Sequence, residues 1–395
     1  MLQGNLLDQI KRIGSKNNTK IYLVGGPLRD KLLGKKTKDL DIVVEKKIND
    51  IGKDLANYLG AKFQFYRDFN TGTIVLNNQH IDIAQARKEI YPHPAVLPKV
   101  FPSDVVSDLF RRDFTINAMA QDLTTNALID PYNGFTDLKK GIIRILHNRS
   151  FIDDPTRIFR AIRFAERFGF EIEPKTLKWL RAAIKQKLPS LLSGERILNE
   201  LRLIAKETKC EKMIERLNQE GLFHSLFDNK LSKMFFAQFR KVAKSENASL
   251  KLVHILAQFD LPDNFPINKQ ESVAIQDWTR YPKIRKLLTK VNRPSEIHKI
   301  LKGFSNEAIR IGELAEEPKI AHKIKKYRQK YQKVKILIGG DDIKALGIPP
   351  GAIYGKLLDN ILFARLDGKV KTHADELRLL KEMVKVEKRK EIIIC

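Results

Sequence analysis

Asp39-Leu40-Asp41-Ile42-Val43 places two carboxylates two residues apart within an apolar run. On a strand, alternate side chains share a face, so Asp39 and Asp41 point the same way while Leu40 and Ile42 turn to a core. Adjacent carboxylates repel unless a cation sits between them. Magnesium suits such a pair, because it takes hard oxygen ligands and keeps positions for water and phosphate. Two such ions roughly 4 Å apart can activate an attacking hydroxyl and stabilise a departing pyrophosphate. An isolated Asp-x-Asp also occurs as a pair of turn or surface aspartates, so its surroundings must decide.

Those surroundings are phosphate-like. Gly25-Gly26 lies upstream, after one apolar run and before a helix. Glycines allow close backbone approach to a triphosphate, and a helix N-terminus favours the anion. Arg29, on the first turn, can reach the same phosphate. Asp82, between Ile81 and Ile83, is a third acid that needs a partner; it either completes a metal site or pairs with Arg87. Arg111-Arg112-Asp113-Phe114-Thr115-Ile116-Asn117 supplies cations able to clamp phosphates, with Asp113 and Asn117 able to hold ribose hydroxyls. The plainer alternative is a helix cap followed by a core segment. Asp154 and Arg157, three apart and followed by Arg160 and Arg163, share a helix face. They offer either one capped ion pair or a donor–acceptor edge for a base.

The elements positioning these residues differ along the chain. Ile21–Val24 and Leu40–Val44 read as strands, Pro27 opens a helix that Gly34 stops, and Ile48–Leu59 has helical spacing. Thr73–Leu76 and His80–Ala84 read as a hairpin across Asn77-Asn78-Gln79. The start of the chain is therefore a mixed α/β domain. Residues 88–104 contain Pro92, Pro94, Pro98 and Pro102, which predicts a surface loop without helix or central strand. From Asp153 strand signals nearly vanish, and helices are predicted over Ile158–Phe168, Leu177–Ile184, Ile197–Ala205 and on to about residue 315. Lys319 to Lys335 is strongly basic, and Ile343 to Gly351 reads as a helix and a Gly/Pro turn leading into another helix, whose N-terminus suits a phosphate.

Bulk properties agree. A chain of 395 residues implies two to four compact units. The formal net charge of +26 calls for a polyanionic partner, nucleic acid first and an anionic membrane surface second. No run of eighteen apolar residues is present, and the first residues from Met1 lack a signal-peptide build. With only Cys210 and Cys395, a disulfide framework or four-cysteine zinc site is excluded by count, and a reducing, cytoplasmic setting is the default.

Taken in order, Gly25-Gly26-x-x-Arg29-Asp30, Asp39-Leu40-Asp41, Arg111-Arg112-Asp113-Phe114-Thr115-x-Asn117-Ala118 and Asp154-x-x-Arg157-x-x-Arg160-Ala161-x-Arg163-Phe164 resemble the class II tRNA nucleotidyltransferases and bacterial poly(A) polymerases of the polymerase-β-like superfamily. The likeness is strong over residues 20–205, and Gly340-Asp341-Asp342 through Lys371-Thr372 resembles tails of A-adding members. The resemblance implies an α+β fold: a nucleotidyltransferase α/β head (1–145), then an all-α neck with a nucleotide-selecting pocket (146–207), a helical body (208–318) and a basic tRNA-binding tail (319–395). It implies that Asp39 and Asp41 bind two magnesium ions, with Asp82 a further catalytic acid. Gly25, Gly26 and Arg29 would contact the triphosphate, with Arg112 and Arg163 in the same nucleotide site. Asp113 and Asn117 would lie near the ribose. Asp154 and Arg157 would act as a protein template for ATP or CTP, supported by Arg160. Two departures stand out: Asp153 where many relatives have Glu, and the proline-rich 88–104 stretch, which is more like that of A-adding members. No His-Asp dipeptide occurs, so a phosphohydrolase module is not expected.

The implied reaction adds the final A, or CCA, to the 3′ end of a tRNA recognised by its acceptor arm, with a companion nucleotidyltransferase required if the activity is partial. A poly(A) polymerase or a CC-adding enzyme would share the head and neck. A non-catalytic RNA-binding relic would have no need for Asp39 and Asp41 beside Gly25-Gly26.

Overall fold

The computed structural model describes residues 2–35, 39–46, 48–67, 70–76 and 79–394; Met1, the hairpin-turn residues Asn77 and Asn78, and Cys395 lie outside the described residues. The chain forms two compact units that meet between Lys230 and Leu231.

The first unit is built on strands β1 (Ile21–Val24), β2 (Leu40–Val44), β3 (Phe63–Tyr66), β4 (Thr71–Leu76), β5 (Gln79–Gln85), β6 (Arg87–Ile90), β7 (Lys99–Pro102), β8 (Ala120–Asp122) and β9 (Leu128–Ile129). Seven of them form a mixed sheet in the order β3-β4-β5-β2-β1-β8-β9. The central β1, Ile-Tyr-Leu-Val, is buried at every position, which is why it shows no polar alternation. Every neighbouring pair is antiparallel except β2 with β5. A parallel pair needs a long crossover, and helix Ile48–Leu59 and β3–β4 provide it. That helix buries Ile48, Ile51, Gly52, Leu55 and Ala56, one stripe at helical spacing. The Phe63 ring fills the space that a Cβ on Gly52 or on Gly72 would occupy.

The 88–104 stretch is more ordered than its prolines predict. β6 and β7 pair as an antiparallel ribbon with Arg87 opposite Pro102 and Ile90 opposite Lys99. Pro92, Pro94 and Pro98 fall in the connection, and Pro102 ends a strand of a two-stranded ribbon, where an outward edge needs no N–H. The stretch has neither helix nor central strand, as expected, but within 88–104 it is irregular only over residues 91–98 and 103–104.

The described chain is helical from Ser150 through Leu222–Phe227, apart from a two-residue strand Glu171–Ile172 that pairs in parallel with Ile142–Ile143. Helix Thr156–Phe168 buries Ile158, Phe159, Ala161, Ile162 and Phe164 and stops at Gly169, whose φ of +72° is left-handed. The second unit is all helix with short 3₁₀ turns, from Lys233–Val242 to His373–Ile394. Asn268 and Glu271 cap Lys269–Lys290 reciprocally. A further core gathers Ile338, Ile343, Leu357, Ile361 and Leu380. The α+β class read from the sequence is the architecture observed.

His254 lies inside the second unit, stacked on Phe235 and Phe239 and beside Trp278. Neither ring nitrogen has a hydrogen-bond partner, and burial pushes its pKa down to about 3. The unfolded chain takes up this proton near pH 6.5 and the folded chain only near 3. Stability from neutral His254 is therefore complete above about pH 6.5 and declines as pH falls toward 3, by about 1.4 kcal/mol per pH unit. Urea unfolding followed between pH 7 and 4.5 is expected to show this slope, and His254→Phe is expected to flatten it. An unchanged slope in the variant would show that His254 is not the group responsible.

Candidate active site

β2 and β5 bring the acids together. Their parallel register pairs Asp41 with Asp82 directly, while Leu40, Ile42, Ile81 and Ile83 are buried in the core. Asp39, one residue before β2, accepts the His80 backbone N–H through Oδ1 at 3.2 Å. Asp82 accepts the Thr73 hydroxyl at 2.6 Å from the neighbouring β4. Arg87 instead donates to Glu89, so the Asp82–Arg87 alternative is not formed. Burial raises the Asp41 pKa to about 6; Asp82 and Asp39 push the same way, against Arg112 and Arg29. This is the electrostatic condition that a bound cation relieves.

Gly25 and Gly26 open helix Gly25–Leu32 directly after β1. Gly25 has φ +67°, and a Cβ there would lie 3.1 Å from Asp41 Oδ2 and 2.9 Å from Arg112 Nη1. The left-handed backbone therefore favours glycine here, and a Cβ would also crowd the Asp41 carboxylate and displace the Arg112 guanidinium. Arg112 donates to Asp108 at 3.0 Å, while its buried Nε has no partner.

Arg29 is buried, packed over Phe164 and Phe168. It donates to Asn117 Oδ1 at 2.7 Å. Asn117 donates on to Asp113 at 2.9 Å, and Asp113 accepts Arg160 at 2.8 and 2.6 Å. Burial alone would raise the Asp113 pKa, but Arg160 and the Asn117 hydrogen bond hold it at about 2.

Asp154 and Arg157 share the site but do not pair with each other. Asp154 caps Thr156 through its N–H at 3.0 Å and hydroxyl at 2.6 Å, and accepts Arg196 at 2.6 Å. Arg157 is buried and donates to Ser150 Oγ at 2.5 Å and to the Arg111 carbonyl at 2.7 Å. Arg163 lies 3.9 Å from Glu200, beyond hydrogen-bond range, with its Nε unpartnered; burial lowers its pKa.

All but two of these residues border one cavity of about 640 Å³. Asp41, Gly25, Gly26 and Arg112 lie on its wall with Arg29, Asp113, Asn117, Asp154, Arg157, Arg160 and Arg163. Asp39 and Asp82 flank Asp41. Arg196, Tyr91 and Leu97 also line it and were not anticipated. Arg196 joins Asp154 to the Ala95 carbonyl, 2.6 Å away in the β6–β7 connection. No local pattern announces a contact across that separation.

Residues 21–144 match the family model for the poly(A) polymerase head domain, and 169–233 match one described as the probable RNA and SrmB-binding site of polymerase A. The chain is 33% identical to an A-adding tRNA nucleotidyltransferase of Geobacter sulfurreducens, covering 95% of this chain but 46% of that protein. It is 32% identical to the A-adding tRNA nucleotidyltransferase of Halalkalibacterium halodurans, covering 95% of this chain and 92% of that one. The chain belongs to the class II tRNA nucleotidyltransferase and poly(A) polymerase family. A Thermotoga maritima CCA-adding enzyme solved with tRNA superposes on it with a TM-score of 0.78 at 30% identity, covering 96% of this chain and 95% of that one. The chain spans about half the length of the Geobacter relative and nearly all of the other two.

In this family member Arg160 holds a buried carboxylate ionised. Arg160→Ala leaves Asp113 without its main counter-charge, which is expected to cost about 2–3 kcal/mol, at the low end because Arg160 is about a third exposed. In the wild type, the depressed Asp113 pKa contributes stability above about pH 4 that is lost as pH falls toward 2. In the variant, burial raises that pKa, so the deficit should narrow as pH falls from 7 to 4. Denaturant melts of both proteins at the two pH values check this; a constant deficit would rule out charge as the cause.

Proposed function

We propose that this nucleotidyltransferase adds 3′-terminal nucleotides to tRNA, the final A or CCA, from ATP or CTP with release of pyrophosphate. The observation that carries this reading is the single cavity uniting Asp41, the Gly25-Gly26 turn and Arg112 with Asp154 and Arg157. The names of the relatives, A-adding and CCA-adding, support it.

Asp39, Asp41 and Asp82 are suited to magnesium. Among the described residues no three His, Cys, Asp or Glu side chains close into a ready-made cage. Magnesium rarely requires one, because one or two carboxylates with water and substrate phosphates complete its shell. The raised Asp41 pKa marks a site poised for a cation. When bound, two such ions would polarise the attacking hydroxyl and the leaving oxygen. The protein's own part is positioning. Gly25 leaves room for the triphosphate beside Asp41, and Arg112 faces it with an uncommitted Nε. Asp113 and Asn117 set the ribose end, with Arg29 and Arg160 holding them. Asp154 and Arg157 present an acceptor and a donor to the base, and Arg160 and Arg163 back them.

The domain boundaries belong to the same reading: a catalytic head to 145, a nucleotide-selecting neck to 207, a body to 318 and a basic tail that holds the tRNA. A cytoplasmic site of action fits it, and a companion enzyme is needed only if the activity stops short of CCA. The proline-rich 88–104 stretch favours terminal A addition over full CCA addition, and the helical C-terminal region with its basic tail favours a tRNA substrate over the poly(A) polymerase reading.

The test is to offer magnesium, ATP and CTP, separately and together, to tRNA transcripts ending before C74, after C74 and after C75. Extension of the C75 end alone, by one A, is expected of an A-adding enzyme, and completion of every end of a CCA-adding one. Asp39→Ala with Asp41→Ala is expected to lower the rate at least about a thousandfold, as does chelation of magnesium. Long A tails on any RNA would move the chain to the polymerase class. Binding of tRNA with no extension under any condition would defeat the reading.

A further inference from the structure

A second cavity of about 630 Å³ borders the candidate active site, sharing Glu89, Tyr91, Arg111 and Arg157 with it. It is not explained by the nucleotide pocket, because Asp41 and the Gly25-Gly26 turn lie elsewhere. Its floor is aromatic. Helix Val105–Phe110, capped by Asp104 on the Ser107 N–H, buries Val105, Asp108 and Leu109. The opposite face exposes Val106 and Phe110, the latter 45% exposed. The Phe110 ring meets Tyr132 at 5.7 Å and His147 at 5.2 Å between centroids. Nearly half of this ring is open to the groove, while its remainder packs on Tyr132 and His147.

The walls are cationic. Lys88, Arg111, Arg149 and Arg157 face two carboxylates, Glu89 and Asp153. Glu89 is paired with Arg87 and Arg111, and Asp153 engages Arg149 through one nitrogen, Nη2, at 3.3 Å. Lys88 and Arg149 are exposed at the rim. An exposed ring inside a groove, with cations at its lip, is suited to a base with its phosphate, since every base has a π-face. A lipid or an acidic peptide would leave either the ring or the cations unused.

We propose that this groove is a second nucleotide-unit site, stacking one unpaired base on Phe110 and holding its phosphate at Lys88 and Arg149. The inference rests on the proposed action on RNA. The shared chemistry has two sources, an unpaired nucleotide of the acceptor RNA or a free mononucleotide. Arg157 connects the two cavities: it faces both, and its hydrogen bond to the Arg111 carbonyl ties it to their common wall. A unit seated on Phe110 therefore lies one side chain from the base-selecting edge.

The test uses the full chain with Phe110→Leu, Phe110→Tyr and Lys88→Ala. Equilibrium binding is measured with a tRNA ending at C75 and, by calorimetry, with ATP; melting temperatures report folding. Loss of one stacked base weakens binding by about 5- to 150-fold. A loss of this size for tRNA in Phe110→Leu, restored in Phe110→Tyr and with ATP binding unchanged, supports the site and assigns it to RNA. Loss of a second ATP equivalent with tRNA binding intact supports the site and assigns it to a free nucleotide. If Phe110→Leu fails to fold, Lys88→Ala decides through a weakened affinity and a shallower salt dependence. Wild-type affinities for both ligands in the folded variants overturn the proposal. Wild-type protein that neither binds nor extends tRNA defeats the functional reading instead, so the two failures are distinct.

Discussion

The Asp113 carboxylate is the constraint on which the candidate site depends. It is buried, so its charge must be met by fixed partners, and it takes them from three directions: the Phe114 N–H, Asn117 and Arg160. Asn117 relays the chain to Arg29 on the helix after the glycine turn. One acid thereby fixes the helix Gly25–Leu32, the 3₁₀ turn Thr115–Asn117 and the helix Thr156–Phe168 relative to one another. Each link is charge-assisted, and those through Asn117 are shielded from water, where such bonds are strongest and a missing partner costs most. The aromatic layer of Phe114, Phe164 and Phe168 beneath it keeps water out.

This arrangement explains why so many arginines can crowd one cavity. Arg29, Arg111, Arg157 and Arg160 are each held by an acceptor of the protein, so their planes are set before any ligand arrives. Preset donors need no reorganisation when charge develops on a phosphate, and catalysis by positioning depends on that. Arg112 and Arg163 are different. Arg112 also donates to Asp108, but each keeps a buried Nε without a partner, which carries a cost of desolvation.

Much of this was legible in the sequence, for identifiable reasons. β1, the glycine turn and β2 were readable because their signals are local: an apolar run, two glycines, alternation of Asp with Leu and Ile. The pocket's membership was readable through motif order. Its wiring was not. Spacing placed Asp154 and Arg157 on one face, yet Asp154 bonds to Arg196 and Arg157 to the Arg111 carbonyl, partners 42 and 46 residues away. Asp82 took a hydroxyl from the strand beside it rather than the cation along its own chain. In each case the partner that won is set by tertiary packing, to which sequence separation is blind. The β6–β7 ribbon was missed for another reason. Proline forbids a donor in a sheet interior, but a two-stranded ribbon is all edge, and the rule has no force there.

Arg196 shows how such wiring joins segments that are distant in sequence. Its guanidinium spans Asp154 and the Ala95 carbonyl, so Asp154 and the β6–β7 connection are held together while that fork lasts. Ala95 itself sits at φ +63°, a conformation unfavourable for a side chain with a Cβ. Leu97, 72% exposed, stands at the cavity wall on the same connection. The connection and Asp154 are thus coupled through one side chain from a helix more than forty residues further along the chain, and Arg196→Ala removes both hydrogen bonds at once.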